Sequence, residues 1–191
     1  AAHEDLGGMP MTLFTRGKDQ IGTLMQIPPQ GTETPSSHWL GYVWVEDLDA
    51  TFARAKPLGA TPYVPPTPIP GVGRFAVIGD PGGAVLGLYE QNAPVDPTTP
   101  MPAGHGAFSW YELTTRAVAP SIAFYTALFG WTTQDWPMDF GTYTLFLRGE
   151  EAVAGLKGEA EAARTEPRLV TDWSAYLPAD YVPDEHEKLD L

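Results

Sequence analysis

The sequence predicts an α+β fold built from repeated β-α-β-β-β modules, and three observations support this prediction. Short apolar runs of strand length flank two segments with helical periodicity. Each helical segment ends at a glycine, Gly59 or Gly130, the residue type that most readily adopts the left-handed conformation after a helix. The third observation is an internal repeat: residues 12–17, Thr-Leu-Phe-Thr-Arg-Gly, recur at residues 144–149 as Thr-Leu-Phe-Leu-Arg-Gly.

The repeat has an offset of 132 residues, from position 12 to position 144. Leu24 recurs at Leu156 with the same offset, and Trp39 recurs at Trp173 with an offset that has grown to 134. Solenoid repeats have periods of roughly 20–50 residues, so this period indicates tandem domains. We therefore expect a chain that starts partway through one domain and stops partway through the next.

The first two segments differ in completeness. Residues 1–27 contain two predicted strands, at 11–15 and 21–27. Residues 38–91 contain a whole module, in which Asp47 is the predicted N-cap of a helix that continues to Leu58. Its strands are predicted at residues 39–45, 61–64, 73–78 and 84–89.

The third segment, residues 105–157, repeats this plan with a helix at 120–129. Its strands are predicted at residues 107–114, 131–136, 142–147 and 152–156. The fourth segment, residues 170–191, contains one predicted strand at 173–177 and an acidic tail at 184–191. The tail is predicted to be solvated.

Composition excludes several classes of function. The formal net charge is −13 and the 11 Lys and Arg residues form no basic stripe, so nucleic acid is not an expected partner. No run of 18 apolar residues is present, so no membrane partner is expected and a cytoplasmic location is predicted. The absence of Cys excludes disulfides and thiolate chemistry.

Four phrases of the sequence resemble the vicinal oxygen chelate superfamily, which contains glyoxalases, bleomycin-resistance proteins and dioxygenases. Residues 109–115 (Ser-Trp-Tyr-Glu-Leu-Thr-Thr) and 123–131 (Ala-Phe-Tyr-Thr-Ala-Leu-Phe-Gly-Trp) are similar to its opening half-module. Residues 64–77 and 80–88 are similar to its closing half-module. The resemblance, strongest to bacterial two-domain glyoxalase-like proteins, implies paired modules that form a cupped mixed sheet with the helices outside.

In this family an opening half-module is followed by a closing half-module. Compared with that order, residues 1–27 match the last strands of an incomplete opening half, and residues 170–191 begin an incomplete closing half. Residues 38–91 are a complete closing half and residues 105–157 a complete opening half. The chain is then either a fragment of a longer gene product, or a protein in which the two complete halves pair in reversed order. In the second case residues 9–27 would pair in another chain, giving a homodimer or a strand-swapped dimer.

The resemblance also implies positions for metal ligands, and unsuitable residues occupy them. Leu40 and Trp110 stand at the first-strand positions, and Gly87 stands where a glutamate is usual. None of these side chains can bind a metal ion, so we expect no cofactor. His38 and His105 precede the two first strands and offer a displaced metal pair as the alternative, although a catalytic zinc site needs three protein ligands.

Strand alternation places Trp110, Glu112 and Thr114 on one face, and Leu40, Tyr42 and Trp44 on the corresponding face of the other half. These faces predict an aromatic cavity that contains one acid, a common form of small-molecule site. Glu112 is the candidate catalytic residue, as a proton shuttle or as a group that binds a cation. Its alternative role is structural. The candidate ligand-binding residues are Trp110, Trp39, Tyr42, Trp44, Tyr143 and Arg74. For Arg74, the alternative is an ion pair with a nearby carboxylate.

Three functions are consistent with this pattern. The first is binding of a small cationic or aromatic molecule without a metal, in resistance or detoxification, because an acidic surface and aromatic faces favour cationic aromatic ligands. The second is a lyase, isomerase or dioxygenase of the superfamily that uses Glu112 or an unrecognised metal site. The third is an interaction or regulatory module assembled through the incomplete copy.

Overall fold

A computed structural model describes residues 2–6, 9–17, 19–26, 37–93, 107–139, 141–158 and 172–176. These residues form three β-sheets and two α-helices, which confirms the predicted α+β class. No helix in these ranges is long and apolar enough to span a bilayer.

The first sheet is antiparallel, with its three strands in sequence order. The strands are β1 (Ala2–Leu6), β2 (Met9–Arg16) and β3 (Asp19–Met25). Strands β2 and β3 occupy the two predicted positions, but β1 was not predicted. Its sequence, Ala-His-Glu-Asp-Leu, contains no apolar run, and pairing with the more apolar β2 makes it a strand.

The second sheet contains the strands of the module at residues 38–91, in the order β4-β7-β6-β5, and β4 pairs in parallel with β7. The strands are β4 (Tyr42–Trp44), β5 (Thr61–Ile69), β6 (Gly73–Gly79) and β7 (Val85–Gln91). Strand β4 is shorter than the strand predicted at residues 39–45. The sheet is mixed, because β4 and β7 are parallel whereas β5, β6 and β7 pair in antiparallel order.

The N-cap of helix α1 (Leu48–Ala55) follows the sequence prediction, but the α-helix ends three residues before the predicted end at Leu58. The Asp47 side chain accepts a hydrogen bond from the Ala50 amide at 2.8 Å, as expected of an N-cap. The α-helix stops two residues before Pro57 and continues as a short 3₁₀ turn, because the proline ring cannot continue an α-helical ladder. Gly59, with φ of 99°, ends the turn in the left-handed conformation.

The third sheet contains the module at residues 105–157 together with the last of the described strands, in the order β12-β8-β11-β10-β9. Its elements are β8 (Trp110–Thr115), α2 (Val118–Phe129), β9 (Thr132–Met138), β10 (Gly141–Arg148), β11 (Glu151–Gly158) and β12 (Asp172–Tyr176). Ala117 gives α2 no side-chain cap, and the Thr115 hydroxyl accepts a hydrogen bond from the Ala117 amide instead.

The sequence repeat is also a repeat of strand register. Met11 on β2 pairs with Met25 on β3. The residues 132 positions later, Tyr143 on β10 and Lys157 on β11, pair with each other in the same way. The register shifts after Phe14 in the first copy and after Phe146 in the second, again at equivalent positions. Strands β1–β3 are therefore a structural copy of β9–β11.

The two complete modules share one hydrophobic core. The cluster contains Leu48, Ile78 and Leu88 from one module and Leu113 and Phe146 from the other, all buried. The helices contact each other, and the Arg54 guanidinium on α1 donates a hydrogen bond to the Leu128 carbonyl on α2 at 2.8 Å. The modules are thus packed as one unit.

A buried polar network also joins the modules. Asp80, in the β6–β7 turn, is 3% exposed, and its carboxylate accepts hydrogen bonds from the amides of Gly82 and Ala84. It accepts a further bond from the Ser121 hydroxyl on α2 at 2.8 Å. Burial, followed by the negative charge of Asp80, raises the pKa of Tyr125 well above its ordinary value, so this tyrosine is neutral.

Candidate functional site

A hydrogen-bonded chain of four side chains lies on the third sheet. The Trp110 indole Nε1 donates to the Tyr143 hydroxyl oxygen at 2.8 Å. That hydroxyl donates to Glu112 Oε2 at 3.0 Å. Lys157 Nζ lies 2.6 Å from Glu112 Oε1. We call Trp110, Glu112, Tyr143 and Lys157 the Glu112 network.

Strand register brings these residues together. Trp110 and Glu112 are two residues apart on β8 and therefore face the same side. Tyr143 on β10 is directly opposite Lys157 on β11, and Glu112 pairs with Gly155 on that same strand. A Cβ at position 155 would overlap the Tyr143 hydroxyl, so the glycine lets the phenol cross β11 to reach Glu112. The network thus depends on a missing side chain at its centre.

The Glu112 carboxylate is held in place and largely shielded from water. The residue is 8% exposed, and both carboxylate oxygens have partners, one the Lys157 ammonium and the other the Tyr143 hydroxyl. A proton shuttle needs a lone pair that can reach its substrate, so these contacts favour a structural or orienting role for the carboxylate.

Lys157 is the member of the network that sequence reasoning missed. The strand predicted at residues 152–156 ends one residue before it, whereas β11 includes it and alternation places it on the same face as Gly155. The pairing of β11 with β8 could not be derived from alternation, and that pairing brings Lys157 to Glu112. The signal in the sequence is therefore a lysine that lies two residues after a glycine in the same strand.

The remaining predicted aromatic residues form a second group, in and beside the second sheet. Trp39, Tyr42 and Trp44 are 52%, 46% and 36% exposed. The Tyr42 ring covers Gly87 on β7, and desolvation raises the pKa of its hydroxyl above the ordinary value. The structure therefore divides the predicted cavity lining between two sheets, with Trp110 and Tyr143 on one and Tyr42 and Trp44 on the other.

Arg74 is held by an ion pair. Its guanidinium donates to both carboxylate oxygens of Asp49 on α1, at 2.8 and 3.0 Å. The hydrogen bond from Arg74 holds the pKa of Asp49 below its usual value. This is the carboxylate pairing that the sequence analysis gave as the alternative to ligand binding.

A shallow apolar cavity of about 150 Å³ lies beside α1, away from the Glu112 network. Phe52, Ala55, Pro62 and Ile78 are among the residues that line it, with Lys56 at its wall. None of the predicted site residues lines this cavity, so the Glu112 network remains the candidate functional site.

The metal-ligand positions implied by the resemblance do not fit a metal ion. The Tyr42 ring fills the space over Gly87, the position where a glutamate is usual. Within the described ranges, no group of three or more His, Cys, Asp or Glu side chains could hold a metal. His38 is exposed, and His105 lies outside the described residues.

Relatives identified by sequence confirm the predicted resemblance to the vicinal oxygen chelate superfamily. A Mycobacterium tuberculosis protein named "Putative glyoxylase CFP32" is 27% identical over 175 residues. The match covers 91% of this chain and 64% of the relative, so the chain spans less than two thirds of that protein. The anthracycline biosynthesis protein DnrV of Streptomyces peucetius is 29% identical over 117 residues, which cover 61% of this chain and 42% of the relative. No family model matches the sequence.

Two solved structures show more distant likenesses. The Mn(II)-bound glyoxalase from Novosphingobium aromaticivorans is 16% identical with a TM-score of 0.48, and the match covers 62% of this chain and 41% of that one. A glyoxylase/bleomycin resistance protein/dioxygenase domain from Frankia sp. EAN1pec is 16% identical with a TM-score of 0.45, over 67% of this chain and 95% of that one. Both likenesses are too distant to assign roles to residues.

Proposed function

We propose that this protein binds a small aromatic molecule at the Glu112 network without a metal ion, in a resistance or detoxification role. The observation that carries the proposal is the hydrogen-bonded chain from Trp110 through Tyr143 to Glu112, anchored by Lys157. It places two aromatic side chains beside a fixed carboxylate on one sheet face. Small-molecule sites combine apolar and aromatic walls with a few positioned polar groups in this way.

The chemistry favours a flat aromatic ligand. Trp and Tyr offer large faces for stacking, and their hydrogen bonds fix their orientation before a ligand arrives. The net charge of −13 attracts cations to the surface, so a positive group on the ligand would increase the rate of association. The name of DnrV, an anthracycline biosynthesis protein, supports an aromatic ligand class for this chain.

The test compares two tryptophans that lie on different sheets. We expect Trp110→Ala to weaken binding of a cationic anthracycline about tenfold, because the lost stacking and burial amount to about 1.4 kcal/mol. Trp44→Ala is the matched control and should leave the affinity unchanged. Fluorescence titration of both variants measures the effect. A loss for Trp44→Ala alone would place the ligand on the second sheet, and equal losses would show no preference for the Glu112 network. Either result would refute the proposed site.

Catalysis is the second candidate, and the relative named as a glyoxylase favours it. In that case Glu112 would have to exchange its contacts with Lys157 and Tyr143 for contacts with a substrate. An enzyme that depends on a metal would also need ligands other than the residues at positions 40, 87 and 110.

Metal binding separates these two candidates. Because Leu40, Gly87 and Trp110 supply no ligand atoms from their side chains, we expect no saturable rise in Tm with Ni²⁺, Zn²⁺, Fe²⁺ or Mn²⁺. A specific metal at 100 times its Kd would stabilise the fold by about 2.7 kcal/mol, which a thermal-shift assay detects easily. Elemental analysis of the purified protein provides the second readout. Stoichiometric metal in either experiment would favour the enzyme.

A further inference from the structure

The two charged members of the Glu112 network differ in their access to solvent. The Glu112 side chain is 10% exposed, whereas the Lys157 side chain is 35% exposed. Ser174 lies directly opposite Glu112 on the neighbouring strand β12, on the same face of the sheet, and it is exposed. The sheet face is therefore open beside the ion pair, and an incoming molecule reaches Lys157 more easily than Glu112.

Lys157 is also the partner that can leave the ion pair. A lysine ammonium is strongly hydrated and sits on a flexible four-carbon stem, so a side chain that is already one-third exposed can turn to water. The Glu112 carboxylate has no such freedom, because its second oxygen accepts the hydrogen bond from the Tyr143 hydroxyl. Removing one partner of a shielded ion pair without replacing it is costly. The site therefore favours the exchange of one cation for another over the simple loss of Lys157.

The position of the ammonium group adjoins the aromatic side chains of the network. Lys157 Nζ lies 2.6 Å from Glu112 Oε1, and the other oxygen of that carboxylate connects through Tyr143 to Trp110 Nε1. Strand register also places Lys157 directly opposite Tyr143. A ligand that stacks on either aromatic ring can thus bring an attached amino group to the position that Lys157 occupies.

We propose that Lys157 is an internal counter-ion that a cationic ligand displaces from Glu112, an inference that rests on the proposed function. The ligand's ammonium group takes the place of Lys157 on Glu112 Oε1, and Tyr143 keeps its hydrogen bond to Oε2. The ligand class is a planar aromatic molecule with a protonated primary or secondary amine, because the exchange requires an N–H donor. Lys157 then contributes to specificity, since a small cation without aromatic contacts gains nothing by displacing it.

The charge of the protein favours a cation over an anion as the occupant. The formal net charge of −13 attracts cations and repels anions. Exchange also preserves the charge balance of the site, because one positive group replaces another beside Glu112. An anionic ligand bound directly to Lys157 would instead bring a second negative group close to the Glu112 carboxylate, which is unfavourable.

The variant Lys157→Met tests the proposal on the full chain with two probes. One is a cationic anthracycline, and the other is its N-acetylated form, which differs only in the loss of the charged amine. We expect the variant to bind the cationic probe about tenfold more tightly than the unmodified protein does, because no lysine has to be displaced. Its affinity for the acetylated probe should stay within about twofold. Fluorescence titration measures both affinities.

Lys56→Met is the matched control for the loss of one positive charge. Lys56 is exposed on the short 3₁₀ turn after α1, away from the Glu112 network, so both affinities should be unchanged. A second variant, Glu112→Gln with Lys157→Met, removes both charges and keeps the test possible if Lys157→Met alone does not fold. This double variant should lose the preference for the cationic probe over the acetylated one.

The outcomes separate this inference from the proposed function. Weaker binding of the cationic probe by Lys157→Met would mean that the lysine holds the ligand directly, and it would overturn the inference. An unchanged ratio of the two affinities, or a preference retained in the double variant, would overturn it as well. The proposed site would still stand in these cases if Trp110→Ala weakened binding of both probes. Failure of both probes to bind, or binding that is insensitive to Trp110→Ala, would refute the proposed function and this inference together.

Discussion

Asp80→Ala is expected to lower the free energy of unfolding by about 3 kcal/mol, because a buried acceptor disappears while its donors stay buried. The amides of Gly82 and Ala84 and the hydroxyl of Ser121 all donate to this carboxylate. Alanine offers no acceptor to any of them, and the residue is only 3% exposed, so water has little access. Urea denaturation followed by far-UV circular dichroism measures the loss.

Ser121→Ala is the matched control for the contact between the modules. It removes one hydrogen bond to Asp80 and leaves the two turn amides satisfied, so a loss of about 1 kcal/mol is expected. A loss for Asp80→Ala no larger than that for Ser121→Ala would show that the turn amides find water. The network would then contribute little to the packing of the two modules.

Leu156→Ala and Leu24→Ala should differ greatly in their effect on stability, although the two leucines occupy equivalent positions of the repeat. Leu156 is fully buried in the core, so its truncation should cost about 3 kcal/mol. Leu24 is 56% exposed, so its truncation should change stability by less than about 0.5 kcal/mol. Chemical denaturation of both variants gives the comparison.

The difference between the two leucines is also a check on the fold. Similar costs for both truncations would mean that Leu24 is buried in solution, by a partner or by a second copy. In that case dilution of the protein should lower the cost of Leu24→Ala and leave that of Leu156→Ala unchanged. Similar costs that do not depend on concentration would contradict the exposure of Leu24 within this chain.

Local features of the fold were predictable because they depend on neighbouring residues. Asp47 caps α1 as expected, and Gly59 and Gly130 end their helical segments with positive φ. At the start of α2, Ala117 has no side chain that could act as a cap, and its amide bonds to the Thr115 hydroxyl two residues away. Cap chemistry acts over two to four residues, so the sequence contains most of the information that is needed.

The candidate site was predictable in part. Glu112, Trp110 and Tyr143 were all selected from the sequence, and the structure joins them by hydrogen bonds. Lys157 was missed, and Tyr42 and Trp44 lie on a different sheet from Glu112. Alternation determines which face a side chain occupies, but it does not determine which strand lies beside it.

By itself, the sequence determined the repeat, the positions of most strands and of the two helices, the Asp47 N-cap, and the lack of ligand atoms in the side chains at positions 40, 87 and 110. The tertiary structure decided that Lys157 neutralises Glu112, that Tyr42 covers Gly87, and that Leu24 is exposed where Leu156 is buried. The physical reason is that periodicity and capping are short-range properties. Ion pairing and burial depend instead on residues far apart in the chain, which only strand pairing brings together.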